Sequence, residues 1–164
     1  MSRGTTSNQP IQVSILDRLL DDEPDRQQDA PQTHSQMLRD LKQAVRRDLE
    51  NLLNTRWRCV AWPPDLGELE TSLVNYGIPD FCGGNIGADN PDTLLEIIQF
   101  TIRHFEPRLK NVRVSRPDKS ERVDRTLPFR IDAVLCVDPI EDRVAFDSAL
   151  EINTGNVRVE GGNR

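Results

Sequence analysis

The stretch FTIRHFEPRLKNVRV, Phe100 to Val114, changes its period in the middle. Up to Phe105, apolar residues recur every three or four positions: Leu94, Leu95, Ile97, Ile98, Ile102 and Phe105. That spacing predicts one broad apolar helix face, wide enough for a central core helix. From Val112 the period falls to two, with Val112 and Val114 alternating with Arg113 and Ser115. Such alternation predicts a half-buried strand. Pro107 marks the boundary, because proline disfavours helix at the residue before it. Two opposite charges, Glu106 and Arg108, flank that proline. A guanidinium so close favours an ionised carboxylate, the opposite of what a general acid needs. The pair therefore reads either as an internal salt bridge tying helix to sheet or as a charge pair presented to another subunit.

The same two periods organise the chain on either side. Upstream, Asn90 suits an N-cap, Pro91 the first helical position, and Asp92 the helix dipole. Downstream, Phe129, Ile131, Ala133, Leu135 and Val137 predict a long strand. Pro139 to Asp142 reads as a turn, Val144 to Ile152 as a further strand, and Val157 to Val159 as a short last one. Near the front, Leu38, Leu41, Val45, Leu49 and Leu52 give another apolar stripe, entered through a Thr33–Gln36 capping box. Arg39, Lys42, Arg46 and Arg47 lie largely off that stripe, as a solvated face or a surface for an acidic partner. Leu66, Leu69, Leu73 and Val74 predict a short helix closed by Gly77. The expected fold class is α+β: two long helices and a short one packed on one face of an antiparallel β meander. Residues 33–160 form the expected domain. Residues 1–32 are read as a flexible tail with a short amphipathic segment at Ile15, Leu16, Leu19 and Leu20, and residues 161–164 as a C-terminal tail.

Composition narrows the function classes. The chain has 164 residues and a net charge of −6, which does not suggest a nucleic-acid partner. Cys59, Cys82 and Cys136 are odd in number and far apart, so neither a disulfide framework nor a zinc site is expected. No apolar run approaches the length of a membrane span, and no signal peptide is visible. Reduced thiols and cytoplasmic residence follow as expectations. Gly83, Gly84 and Gly87 do not fit a phosphate-binding spacing. His34 and His104 have no local catalytic partners. Glu96 and Glu106 are the one carboxylate pair to weigh for glycoside hydrolysis. No catalytic residue, metal or cofactor is expected.

Three stretches carry a resemblance. They are Ser14-Ile15-Leu16-Asp17-Arg18-Leu19, then Asn75-Tyr76-Gly77-Ile78-Pro79-Asp80, then Glu106-Pro107-Arg108-Leu109. In this order they resemble the TssE family of type VI secretion baseplate proteins, related to the wedge protein of contractile phage tails. The resemblance implies a structural, non-enzymatic role beside TssF, TssG and TssK. It also implies nucleation of the contractile sheath by strand exchange with TssB and TssC. Partner contacts are then expected at Leu16, Asp17, Arg18, Leu19, Asn75, Tyr76, Gly77, Pro79, Asp80, Glu106, Pro107, Arg108 and Leu109. The strands Val144–Ile152 and Val157–Val159 are the expected sheet edges for that exchange. A lysozyme-like peptidoglycan hydrolase and a small cytosolic adaptor are the alternatives.

Overall fold

The computed structural model describes residues 33–58, 63–80, 91–117, 126–137 and 140–161. Helix α1 spans His34–Asn54 and α2 spans Pro91–Phe105. Two 3₁₀ segments, Pro64–Thr71 and Leu73–Asn75, lie between them. Strands β1 (Leu109–Ser115), β2 (Thr126–Val137), β3 (Ile140–Glu151) and β4 (Val157–Gly161) form one antiparallel sheet in the order β1-β2-β3-β4.

Helix α1 starts where its capping box predicts. Thr33 Oγ1 accepts from the Gln36 amide, and Gln36 Oε1 accepts from the Thr33 amide at 2.8 Å. Each satisfies a backbone donor that the first helical turn leaves open. Leu41, Ala44, Val45, Leu49, Leu52 and Leu53 are buried along one face. In α2 the buried residues are Leu94, Leu95, Ile98, Thr101 and Ile102. β2 buries every second residue from Leu127 to Leu135, with Phe129 and Ile131 at 1% and 0% exposure. β3 buries Val144, Phe146, Ser148 and Leu150 in the same rhythm. Helix and sheet residues join in one apolar cluster, the expected outcome of burying one stripe or one face per element.

The structure corrects several expectations. β3 is an interior strand, paired with both β2 and β4, so it is not an edge. It also begins at Ile140, where a turn was expected, because its register with β2 runs unbroken from Thr126↔Glu151 to Val137↔Ile140. β1 is bulged between Lys110 and Arg113, with Asn111 at φ 54°. Asparagine tolerates this left-handed region better than most residues. The expected short helix is instead two 3₁₀ segments with a kink at Leu66. They leave Leu66, Leu73 and Val74 exposed rather than buried, Leu73 at 82%. Side chains at i and i+3 eclipse in 3₁₀ geometry, so no continuous stripe forms. The amphipathic segment, the Asn90 cap and most of the charged stretch from Arg116 to Arg125 lie outside the described residues.

Candidate functional site: an ion cluster at the junction of helix and sheet

The end of α2 is built to turn sharply. The Glu106 amide still donates to the Ile102 carbonyl, completing the last helical turn. The Leu109 amide then donates to the Glu106 carbonyl at 3.1 Å, closing a β-turn. Pro107 occupies the second position of that turn, where its fixed φ fits. Past the turn, the Arg108 carbonyl accepts from the Cys136 amide at 2.8 Å, so the chain enters the sheet at once. Leu109 is 4% exposed and anchors β1 in the core.

This geometry folds the Glu106 carboxylate back over its own turn. Oε1 accepts from Arg108 Nε at 2.7 Å and from the Arg108 amide at 3.3 Å. Oε2 accepts from Arg108 Nη2, so the guanidinium grips the carboxylate at two points. The same Nη2 reaches Asp48 Oδ2 on α1 at 2.6 Å. Arg47 Nε lies 3.8 Å from the other Asp48 oxygen. One guanidinium thus joins α1, the end of α2 and the start of β1. Glu106 is buried at 5% exposure, while the Arg108 and Asp48 side chains keep 23% and 26%. The hydrogen bond to Glu106 pushes the Arg108 pKa up, burial works against it, and Asp48 adds to the upward push. Arg108 is therefore a permanent cation.

Tyr76 sits beside this cluster. Its pKa is raised by burial first, then by the negative charges of Asp48 and Glu106, with Arg108 opposing. Its ring packs edge-on against Phe105 at 5.3 Å. The neighbouring Asn75 is fully buried, and its Nδ2 donates to the Leu69 carbonyl at 2.9 Å. Gly77 has φ 117°, and a Cβ there would collide with the Thr55 carbonyl. The close approach lets the Ile78 amide donate to Thr55, and the Trp57 amide donate to Ile78. The second 3₁₀ segment is capped by Tyr76, whose amide donates to the Leu73 carbonyl, and Gly77 follows that cap. The Gly77 carbonyl accepts from Trp57 Nε1 at 2.7 Å and from Thr101 Oγ1 at 3.4 Å. The NYGIPD stretch thus clamps the exit of α1 to α2. Pro79 is half-buried and Asp80 exposed.

The expected site residues divide accordingly. Glu106, Pro107, Arg108, Leu109, Asn75, Tyr76 and Gly77 gather around the α1–α2–β1 junction. Leu16, Asp17, Arg18 and Leu19 lie outside the described residues. Asp48 is the member that sequence reasoning missed. No local signal marked it: Asp48 is one of three acids on α1, with Asp40 and Glu50, interspersed with Arg39, Lys42, Arg46 and Arg47.

The arrangement is poorly suited to glycoside hydrolysis. Glu96 is exposed and ten residues before Glu106, about 15 Å along a helix axis. A working carboxylate pair stands roughly 5–10 Å apart across a sugar. Glu106 is closer to Asp48, but Arg108 fills the space between them and Glu106 is too buried for a polymer to reach. His104 Nε2 donates to the Thr71 carbonyl at 2.9 Å, and its ring packs on Phe100 and Phe105. That is a structural placement. Among the described residues no group of His, Cys, Asp and Glu is placed to hold a metal, and no helix is long and apolar enough to cross a membrane.

No curated protein and no solved structure gives a significant match to the chain. A family model does match, that of the baseplate wedge protein gp25, over residues 39–139. The matched span includes Asp48, the NYGIPD clamp, the EPRL turn, and all of β1 and β2. It stops short of both β3 and β4. The chain belongs to the family of the baseplate wedge protein gp25.

Proposed function

We propose that this chain is a structural wedge subunit of a type VI secretion baseplate, of the TssE type. In this reading it works in the cytoplasm beside TssF, TssG and TssK, and seeds the sheath of TssB and TssC by strand pairing. The observation that carries the reading is the family match over residues 39–139. A baseplate wedge is a structural part. The ion cluster suits such a role, because its charges fix three elements in place. Arg108 keeps 23% of its side chain exposed, so a carboxylate of a neighbouring subunit has access to one side of it. β4, an edge of the sheet, is the strand we assign to pairing with a sheath subunit.

The test is a pull-down of tagged wild type and Arg108→Ala from native cytosol, with partners identified by mass spectrometry and folding checked by circular dichroism. Wild type is expected to retrieve baseplate and sheath proteins. Folded Arg108→Ala is expected to lose the wedge partners. Wild type that retrieves none of them overturns the reading. Clearing of peptidoglycan by purified wild type, abolished in Glu106→Gln, would replace it with a hydrolase.

A further inference from the structure

An antiparallel sheet has two edges, and on each edge every second residue points its N–H and C=O outward. Here both edges are met by side chains from a helix. On β1, the Val112 carbonyl accepts from Arg103 Nε at 3.2 Å and Nη2 at 2.8 Å. The Val114 amide donates to Gln99 Oε1 at 3.0 Å. On β4, the Val157 amide donates to Asn54 Oδ1 and the Val157 carbonyl accepts from Asn54 Nδ2, both at 2.8 Å. The Val159 carbonyl accepts from Arg46 Nη1 at 3.0 Å.

The two edges differ in kind. β1 carries the bulge at Asn111, which breaks the even spacing that a further strand would have to match. β4 is regular, with five consecutive residues in unbroken register against β3. The Asn54 carboxamide offers Val157 one acceptor and one donor. That is the same pair of bonds a residue on an adjoining strand would make. Asn54 is exposed and stands at the last position of α1. Arg46 is about one-third exposed and also pairs with Glu50, an alternative partner once it leaves Val159.

From these contacts we infer that Asn54, aided by Arg46, is an autoinhibitory cap on the β4 edge. It fills the strand-accepting positions of the free chain and swings away when a partner strand adds. The inference rests on the proposed strand pairing with sheath subunits. The cap keeps a regular edge from pairing with other chains before assembly, a hazard that every open edge carries.

The experiment uses the full chain as wild type, Asn54→Ala, Asn54→Asp, Arg46→Gln and Val159→Pro. Hydrogen exchange at the Val157 amide reads the cap directly. Binding of purified TssB–TssC subunits, followed by surface plasmon resonance, reads strand addition. Asn54→Ala is expected to speed Val157 exchange at least tenfold and sheath-subunit association at least threefold. Asn54→Asp keeps the acceptor but loses the donor, and should fall between it and wild type. Arg46→Gln should act in the same direction and more weakly, which preserves the test if Asn54→Ala folds poorly. Val159→Pro removes an outward N–H and spares the β3 ladder, but it also trims a core side chain. It is therefore read only in protein that circular dichroism shows folded, where it should abolish binding. If wild type binds and Val159→Pro does not, yet the cap variants bind no faster, the cap is refuted and strand pairing stands. If Val159→Pro binds like wild type, or no variant binds, strand pairing at β4 fails and the cap falls with it.

Discussion

Two arginines in this molecule each hold two carboxylates, and the comparison shows what burial adds to an ion pair. Arg108 bonds Glu106 and Asp48 at the junction of two helices and a strand. Arg130 bonds Asp132 at 3.2 Å and Asp147 at 3.0 Å between β2 and β3. The chemistry is the same; the surroundings are not. The Glu106 side chain is 7% exposed, whereas Asp132 and Asp147 are 49% and 59% exposed. Water already solvates the second cluster, so breaking it releases groups that solvent receives. In the first, removing one partner strands a charge where water reaches it poorly. The first cluster also joins elements far apart in sequence, while the second bridges strands already held by a continuous backbone ladder.

The largest effect is expected from Glu106→Ala. It leaves Arg108 with only Asp48 and should lower stability by about 3 kcal/mol, near the low end for breaking a buried pair because Arg108 stays partly exposed. Urea unfolding measures it; a change no larger than that of Arg130→Ala would break the comparison. Arg108→Lys should cost less, about 2 kcal/mol, since an ammonium keeps the charge but loses the two-point grip on Glu106. Raising salt should not rescue either variant, because partly buried charges are weakly screened.

A spectroscopic reading is available because Tyr76 is the chain's one tyrosine. Its phenolate should form above the ordinary value near 10. Since the folded value is the higher one, this group's contribution to stability is complete below the ordinary value. It is lost as pH rises through the raised one. Asp48→Asn removes one of the negative charges and should bring the ultraviolet transition down towards 10. An unmoved transition would mean that burial and Glu106 set it without Asp48. The smallest effect belongs to Arg130→Ala, whose unfolding midpoint should be indistinguishable from wild type, although its pKa is raised by Asp132 and Asp147.

The period change around Pro107 placed the joint between helix and sheet correctly. The Thr33 capping box and the alternation in β2 also translated directly into structure. These are local signals, and nothing distant contradicts them. What the sequence hid depends on pairing across long separations. Asp48 stands 60 residues from Arg108, and no spacing rule links them. The interior position of β3 depends on where β4 docks. The bulge at Asn111 was masked by the clean alternation of Val112 and Val114. Leu66, Leu73 and Val74 misled because apolar spacing predicts a buried helix only if another element covers it. Here two 3₁₀ segments, the first kinked at Leu66, leave them exposed.

The bonds that α1 sends to the end of the chain have a consequence for synthesis. Arg46 and Asn54 reach Val159 and Val157, 113 and 103 residues downstream, and Arg56 reaches Gly155, 99 residues downstream. The β2–β3 hairpin is sequence-local and can pair as soon as it leaves the ribosome. Helix α1 emerges much earlier and must wait for the last strand before its docking is complete. Among the described helices, the earlier one is therefore completed only once β4 has been made. A nascent chain cut short before Val157 would hold a formed hairpin beside a helix with no strand to close against.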